Sequence, residues 1–229
     1  MSSRRTKKRD RIPRQSFENR LSHWLVAGST FALIFTGFGQ MPMYSRYGIA
    51  DLPGMAWAAD YHLTLLLHYV SGAVLVFAVV FHVSGAILTK RFALLPRKGD
   101  LRESIRIIAA MLGKGEEPPS GKYLAEQRLA YAFIGTSILV VVVSGIIKVL
   151  KNLPGVDMHP LAIFAATTAH NIAAVLIVLG VAGHLAAFMF KENRSLLPAM
   201  FDGTVDRTYA ARRHPLWYRG RNRTDAPAD

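Results

Sequence analysis

The residues with chemistry to offer are eight histidines, in a chain of 229 residues that contains no cysteine. Without thiolates, cysteine-ligated iron–sulfur clusters, disulfides and the C-x-x-C-H attachment of c-type haem are excluded. His23, His62, His68, His82, His170 and His184 fall in or at the edges of long apolar runs, while His159 and His214 lie outside them. His170 and His184 are 14 residues apart, and so are His68 and His82. Over that interval a helix turns through ~1400°, about 40° short of four turns, and climbs ~21 Å. Each pair therefore shares one face at two heights. That spacing suits two flat cofactors stacked at two depths, each b-type haem iron held by imidazoles from opposing helices. A lone histidine bonding across helices as polar glue is the plain alternative for any one of them. A set ordered by depth is poorly explained that way.

The elements that must hold these residues are uncharged runs: Leu21 to Ser45 (25 residues), Tyr61 to Thr89 (29), Leu129 to Ile147 (19) and Met158 to Phe190 (33). About 20 apolar residues in a helix cross the ~30 Å hydrocarbon core. Four such runs predict an all-α integral membrane four-helix bundle, to which the histidine spacing adds room for two haems, with helices near 20–39, 61–88, 125–149 and 160–190. A soluble enzyme domain, a collagen and a disordered tail are excluded. Residues 100–112 place Leu101, Ile105, Ile108 and Leu112 on one face, which predicts an amphipathic helix on the cytoplasmic surface. Asp100 is its expected N-cap and Gly113 its stop. Residues 113–121 read as a turn, and the last dozen residues as frayed. The organisation expected is a basic N-terminal segment (1–19), a transmembrane dihaem domain (20–190) and a C-terminal tail (191–229).

The net charge is +13, and 25 of the 28 Lys and Arg lie before residue 21, between Lys90 and Arg128, or after Phe190. The positive-inside rule puts both termini and the middle loop in the cytoplasm. A basic skirt facing anionic lipid accounts for the charge, so nucleic-acid binding is not needed. Arg4-Arg5 lacks the sequence context of a twin-arginine signal, and the first apolar run reads as a retained span.

Helix direction sorts the histidines by depth. His68 and His170 belong to the outer half and His184 to the inner half, with His23 and His82 both open as its partner. Gly72, Ala174, Gly180 and Ala27, each one turn from a histidine, are small residues that would let a porphyrin approach backbone. Arg20 suits a haem propionate or a lipid phosphate. A transporter or a bare anchor is the non-redox alternative. The four spans lack the internal carboxylates common in transporters, and an anchor has no use for histidines at matched depths.

At this point the chain resembles the cytochrome b (gamma) subunit of membrane-bound respiratory formate dehydrogenases. The likeness covers about residues 10–215. It rests on Asn19-Arg20-Leu21-Ser22-His23-Trp24, on Leu67-His68 with Gly72, and on Gly121-Lys122-Tyr123 with Gln127. It also rests on His170 and His184, and on the tail Arg212-Arg213-His214-Pro215-Leu216-Trp217-Tyr218-Arg219. The resemblance implies four helices in a bacterial inner membrane and two b haems. It implies His68 and His170 as ligands of the periplasmic haem, and His23 and His184 as ligands of the cytoplasmic haem. His82 has no ligand role in that pattern and reads as polar glue. A quinone site on the cytoplasmic side is implied, with Lys122, Tyr123, Glu126, Gln127 and His184 as candidates. Leu124 departs from the Asn expected near the quinone head group.

The implied partners are an iron–sulfur (beta) subunit and a molybdenum or tungsten catalytic (alpha) subunit, and the whole complex could assemble further. The chain itself has no formate-oxidising centre and would act as the electron-transfer subunit. A cytochrome b of a [NiFe] hydrogenase or thiosulfate reductase is the alternative. The tail and the Gly-Lys-Tyr element weigh against it.

Overall fold

The computed structural model describes residues 11–224, with side chains through Arg221. The start of the chain, including Arg4-Arg5, and residues 225–229 lie outside the described residues. Two compact units form: Phe17–Thr89, and residues 90–224 together with 11–16.

The Phe17–Thr89 unit is built on α1 (Phe17–Gly39) and α3 (Tyr61–Leu88). Between them lie the short α2 (Met43–Arg46) and a single-turn 3₁₀ helix, Ala56–Ala59. The bounds of α3 match the expectation, because Asp60 accepts from the Leu63 N–H at 3.0 Å and so caps its first turn. α1 starts three residues earlier than expected, with Glu18 in its first turn, where a carboxylate complements the helix dipole. The two helices run antiparallel: Gln40 donates to Thr64 Oγ1 at 2.9 Å, and Thr36 meets His68 four residues earlier on one helix and later on the other. They pack tightly at Gly39, where a Cβ would fall 2.8 Å from Thr64 Cγ2 and 3.3 Å from the Ala58 carbonyl oxygen. Gly39→Ala is therefore expected to destabilise this unit by about 1–3 kcal/mol, as overpacking does. A lowered melting temperature in detergent checks this. An unchanged one would mean that the backbones move apart freely.

The second unit is built on α5 (Ala125–Leu150) and α6 (Pro160–Ala186), the latter extended by a 3₁₀ turn, Ala187–Met189. They too run antiparallel. Gly180 lies against Phe133 and Ile134 at one end, and Gly145 against His170 at the other. Among the described residues, four helices are long and apolar enough to cross a membrane. Large apolar side chains such as Phe77 and Phe164 point outward, 62% and 68% exposed, as a lipid-facing surface requires.

α4 (Asp100–Met111) forms where the periodicity placed it, but its start differs. Gly99, at φ +95°, is the N-cap, and Asp100 is the first helical residue. The Asp100 carboxylate instead accepts from the Arg97 N–H at 2.7 Å and from Arg128 Nε and Nη2 at 2.8 and 2.5 Å. A buried guanidinium offers stronger hydrogen bonds than the free amides of a helix turn, so the carboxylate turns to it. Leu101, Ile105, Ile108 and Leu112 are exposed within the chain, while Ile107 is fully buried against Leu124 and Ala125. Gly113, at φ +79°, ends the helix as expected.

Of the last dozen residues, expected to fray, 218–224 are helical, and the tail before them is folded as well. It forms α7 (Lys191–Arg194), α8 (Leu197–Phe201), strand β2 (Thr204–Asp206), α9 (Arg207–Arg213) and α10 (Pro215–Thr224). β2 pairs antiparallel with β1 (Arg11–Pro13), in the register Ile12 with Val205. Ile12, Ala199, Val205 and Ala210 make a small core, closed by Leu196, Trp217 and Tyr218. Burial of that apolar patch, with the strand pairing, is what orders the last helix.

Candidate functional site

α3 and α6 run unbroken through His68 and His82 and through His170 and His184. The spacing therefore acts as a regular helix requires: each pair lies on one face, ~21 Å apart along the axis.

His68 and His170 share two features of their surroundings, and the His170 ring also hydrogen-bonds the Val141 carbonyl. The Thr36 Oγ1 lies 2.9 Å from His68 Nδ1, and the Ser144 Oγ lies 3.1 Å from His170 Nδ1. Each hydroxyl is contributed by the neighbouring antiparallel helix of its own unit. The next residue is glycine in both cases. A Cβ at Gly37 would sit 3.6 Å from His68 Cε1, and one at Gly145 would sit 3.4 Å from His170 Cε1. Both rings are half-buried.

The remaining histidines differ. His23 is half-buried and packs edge-on to Trp24, at 5.3 Å between ring centroids. His184 is exposed within the chain and meets Phe188 edge-on at 5.8 Å. His82 is half-buried. His62 is exposed beside Tyr61, and the His159 Nδ1 accepts from the Leu161 N–H at 3.2 Å at the start of α6. His159 is thus a helix cap.

The small residues proposed as porphyrin clearance divide. Nothing lies within 4 Å of a Cβ at Gly72. Gly180 is not open: its Cβ would meet Ile134 Cγ1 at 3.1 Å and Phe133 Cε1 at 3.2 Å. It serves the contact of α5 with α6. Arg20 lies over the Phe17 ring at 5.9 Å.

His184 lies one turn beyond the contact of Gly180 with Phe133, toward the N-terminal end of α5. The quinone candidates cluster at that end. Gln127 Oε1 accepts from the Leu124 N–H at 3.1 Å, so its oxygen caps α5. Tyr123 exchanges a hydrogen bond with the Gln15 amide, and its carbonyl accepts from Arg128 at 2.7 Å. Glu126 Oε2 is buried without a hydrogen-bond partner. Burial, then the nearby Arg14, Arg91 and Arg221 cations, push the Lys122 ammonium down to about 8. Leu124, where an Asn was expected, is fully buried in the core with Ile107. An amide there would lack water and displace that packing.

The tail motif grips this cluster, which its sequence alone does not announce. His214 is fully buried, and its Nδ1–H donates to the Gly121 carbonyl at 2.8 Å. The Leu216 N–H donates to the Ser120 carbonyl at 3.2 Å. Arg213 pairs with Glu117 at 3.0 Å and reaches Asn193. Arg14 donates to the Lys122 carbonyl, with its guanidinium 5.1 Å from the Trp217 ring. Burial drives Arg14 down to about 10.

Burial, with the Arg14 and Arg213 cations, pushes His214 from 6.5 down to about 3, and the Gly121 hydrogen bond only partly opposes this. The unfolded chain then binds one more proton between those values, so stability rises with pH in that window. The contribution is complete above about pH 6.5 and is lost as the pH falls toward 3. Limited proteolysis of the tail is expected to accelerate between pH 7 and 4.5 in the parent chain, and less steeply in His214→Asn. Equal slopes would remove His214 as the cause.

Residues 14–203 match the model of the prokaryotic cytochrome b561 family. The formate dehydrogenase cytochrome b556 subunit of Haemophilus influenzae is 24% identical over 221 residues, covering 91% of this chain and 83% of that protein. The cytochrome b556 subunit of the nitrate-inducible formate dehydrogenase of Escherichia coli K12 is 24% identical over 224 residues, covering 94% of each. The resemblance read from the sequence is thus matched along most of the chain, and the chain belongs to the prokaryotic cytochrome b561 family.

Proposed function

We propose that this member of the prokaryotic cytochrome b561 family is the membrane cytochrome b subunit of a quinone-reducing formate dehydrogenase. The observation that carries the reading is the paired histidines on two unbroken apolar helices, in a chain similar along its length to such subunits. The donor set fits haem b: imidazoles without thiolate, with the Nδ1 of His68 and His170 each held by a hydroxyl. Bound haem supplies one-electron transfer between a partner's iron–sulfur centre and a quinone.

The chain's residues do the rest. His68 and His170 bind one haem on the periplasmic side, and His23 and His184 bind the other on the cytoplasmic side. Arg20 neutralises a propionate at the inner interface. Around the quinone, Lys122 and Tyr123 offer donors to a carbonyl oxygen, beside His184. The Glu126 carboxyl, whose Oε2 is buried without a hydrogen-bond partner, is the group beside them that can pass a proton from the cytoplasm. α4 lies on the inner membrane surface with Leu101, Ile105, Ile108 and Leu112 toward lipid, a face that is exposed within the chain. The basic segments keep both termini cytoplasmic in a bacterial inner membrane. Partner subunits with iron–sulfur and molybdenum or tungsten centres carry the formate chemistry.

The test is a reduced-minus-oxidised visible spectrum of the purified membrane complex, with haem counted per chain and co-purifying subunits identified. Two b haems with a formate-oxidising partner are expected. A colourless, well-folded preparation from haem-replete cells would overturn the reading. A hydrogenase or thiosulfate reductase partner would overturn the choice of complex.

A further inference from the structure

The geometry points to Thr36 and Ser144 as the residues that fix the ring tautomer, and hence the iron-binding nitrogen, of His68 and His170. The inference rests on the haem-ligand assignment above and goes beyond it.

Thr36 Oγ1 lies 2.8 Å from the Ala32 carbonyl oxygen, and Ser144 Oγ lies 2.5 Å from the Val140 carbonyl oxygen. Two oxygens that close require a proton between them, and a carbonyl has none to give. Each hydroxyl therefore donates its one proton to the carbonyl four residues back, a bond that serine and threonine commonly make in apolar helices. Its lone pair then faces the imidazole at 2.9 Å in one case and 3.1 Å in the other. That contact is favourable only if the imidazole nitrogen is Nδ1–H. A neutral imidazole protonated at Nδ1 carries its lone pair on Nε2. Nε2 is the atom at the far end of the ring, and it becomes the ligand atom.

The same device occurs twice, in different units. Thr36-Gly37 serves His68, and Ser144-Gly145 serves His170. In each dipeptide the hydroxyl faces Nδ1 and the glycine lets Cε1 lie against the helix backbone. The His170 ring also donates to the Val141 backbone carbonyl, an acceptor that likewise requires a ring N–H. Hydroxyl and glycine thus fix both the proton and the ring plane. Any one of these contacts would pass as polar glue between helices. Their repetition on the two histidines assigned to one haem is what polar glue does not explain.

Accepting from Nδ1–H raises the basicity of the coordinating nitrogen, which favours the ferric state. Removing the acceptor should raise the midpoint potential of that haem alone. Thr36→Val and Ser144→Ala, made singly in the intact membrane complex, are expected to retain two haems per chain. Thr36→Val should shift the ferrous-to-ferric ratio of one haem roughly threefold, or about 30 mV at 59 mV per decade for one electron, and Ser144→Ala should shift it in the same direction by less, because the Val141 carbonyl remains as an acceptor. Thr36→Ser and Ser144→Thr keep the hydroxyl and should restore the parent potential. The redox titration is read with the low-temperature EPR g-values of the ferric haems.

The outcomes separate. If His68→Ala and His170→Ala retain two haems, the ligand assignment fails. If they lose a haem but the hydroxyl variants leave potentials and g-values unchanged, the assignment stands and the inference about Thr36 and Ser144 is overturned. Should Thr36→Val misfold, Ser144→Ala reads the same device independently in the other unit.

Discussion

His170→Ala is expected to leave one haem per chain instead of two and to cut electron delivery to quinone by at least about a hundredfold, beyond the 10–100-fold typical of losing an outer hydrogen-bond partner. His184→Ala should remove the other haem. Alanine offers no ligand, and no other imidazole is at the right height on α6, whose histidines are 14 residues apart. The two losses should differ in kind. The His170 variant should block entry from the partner, whereas the His184 variant should block exit to quinone. His82→Ala should keep both haems, since it occupies the α3 level that His23 serves on α1 in the proposed ligand set. Pyridine haemochrome analysis per polypeptide reads all three. Two haems retained in either α6 variant would sink the assignment, and a haem lost in the His82 variant would move the inner ligand from α1 to α3.

Arg128→Met is the second large effect, expected to cost about 3–5 kcal/mol because it leaves the Asp100 carboxylate buried and uncompensated. The pair is nearly sealed, at 6% and 3% side-chain exposure, and 2.5 Å apart. Arg128 also donates to the Tyr123 carbonyl, so one guanidinium joins α4, α5 and the Gly121–Leu124 connection. Its loss should release α4 and loosen the quinone candidates Lys122 and Tyr123. The double variant Asp100→Leu with Arg128→Met should recover most of the stability, since an apolar pair has no charge to desolvate. Thermal unfolding in detergent, with protease sensitivity of the α4 segment, reads both. A single variant as stable as the parent would show that water reaches the carboxylate.

The pH dependence has a definite sign. The Arg128 hydrogen bonds, aided by the Arg97 N–H, hold Asp100 below the ordinary carboxylate value of 3.8. Its contribution is therefore complete above that value and is lost as the pH falls through the lower folded one. That window lies below most of the His214 window, so the two groups weaken the second unit in succession on acidification.

The long elements were legible because membrane spans obey a simple rule. Tyr61 to Leu88 could be bounded from the two ends of an uncharged run, and the Asp60 cap emerged only in the structure. The amphipathic helix was equally plain from Leu101, Ile105, Ile108 and Leu112. Its cap was not, because Asp100 has a local use as an N-cap and a distant one as the partner of Arg128, 28 residues away. Local pattern cannot rank the two. The tail was missed for a related reason. Its strand has three residues and its helices are short, so neither period is long enough to register. Gly180 read as clearance and proved to be a packing contact, since a small residue looks the same in either role.

Composition and spacing alone determined four membrane-length helices and the absence of thiolate chemistry. They also determined that His68 with His82, and His170 with His184, occupy common faces at two heights. Those properties depend only on chain length, residue type and the constant pitch of a helix. The tertiary structure decided which nitrogen of His68 and His170 faces a hydroxyl, that Arg128 seals α4 to α5, and that His214 locks the tail onto Gly121. Each of these is a pairing of residues on different elements, 26 to 93 positions apart in the two extreme hydrogen bonds. Only the folded chain brings such groups within the roughly 3 Å over which a hydrogen bond acts.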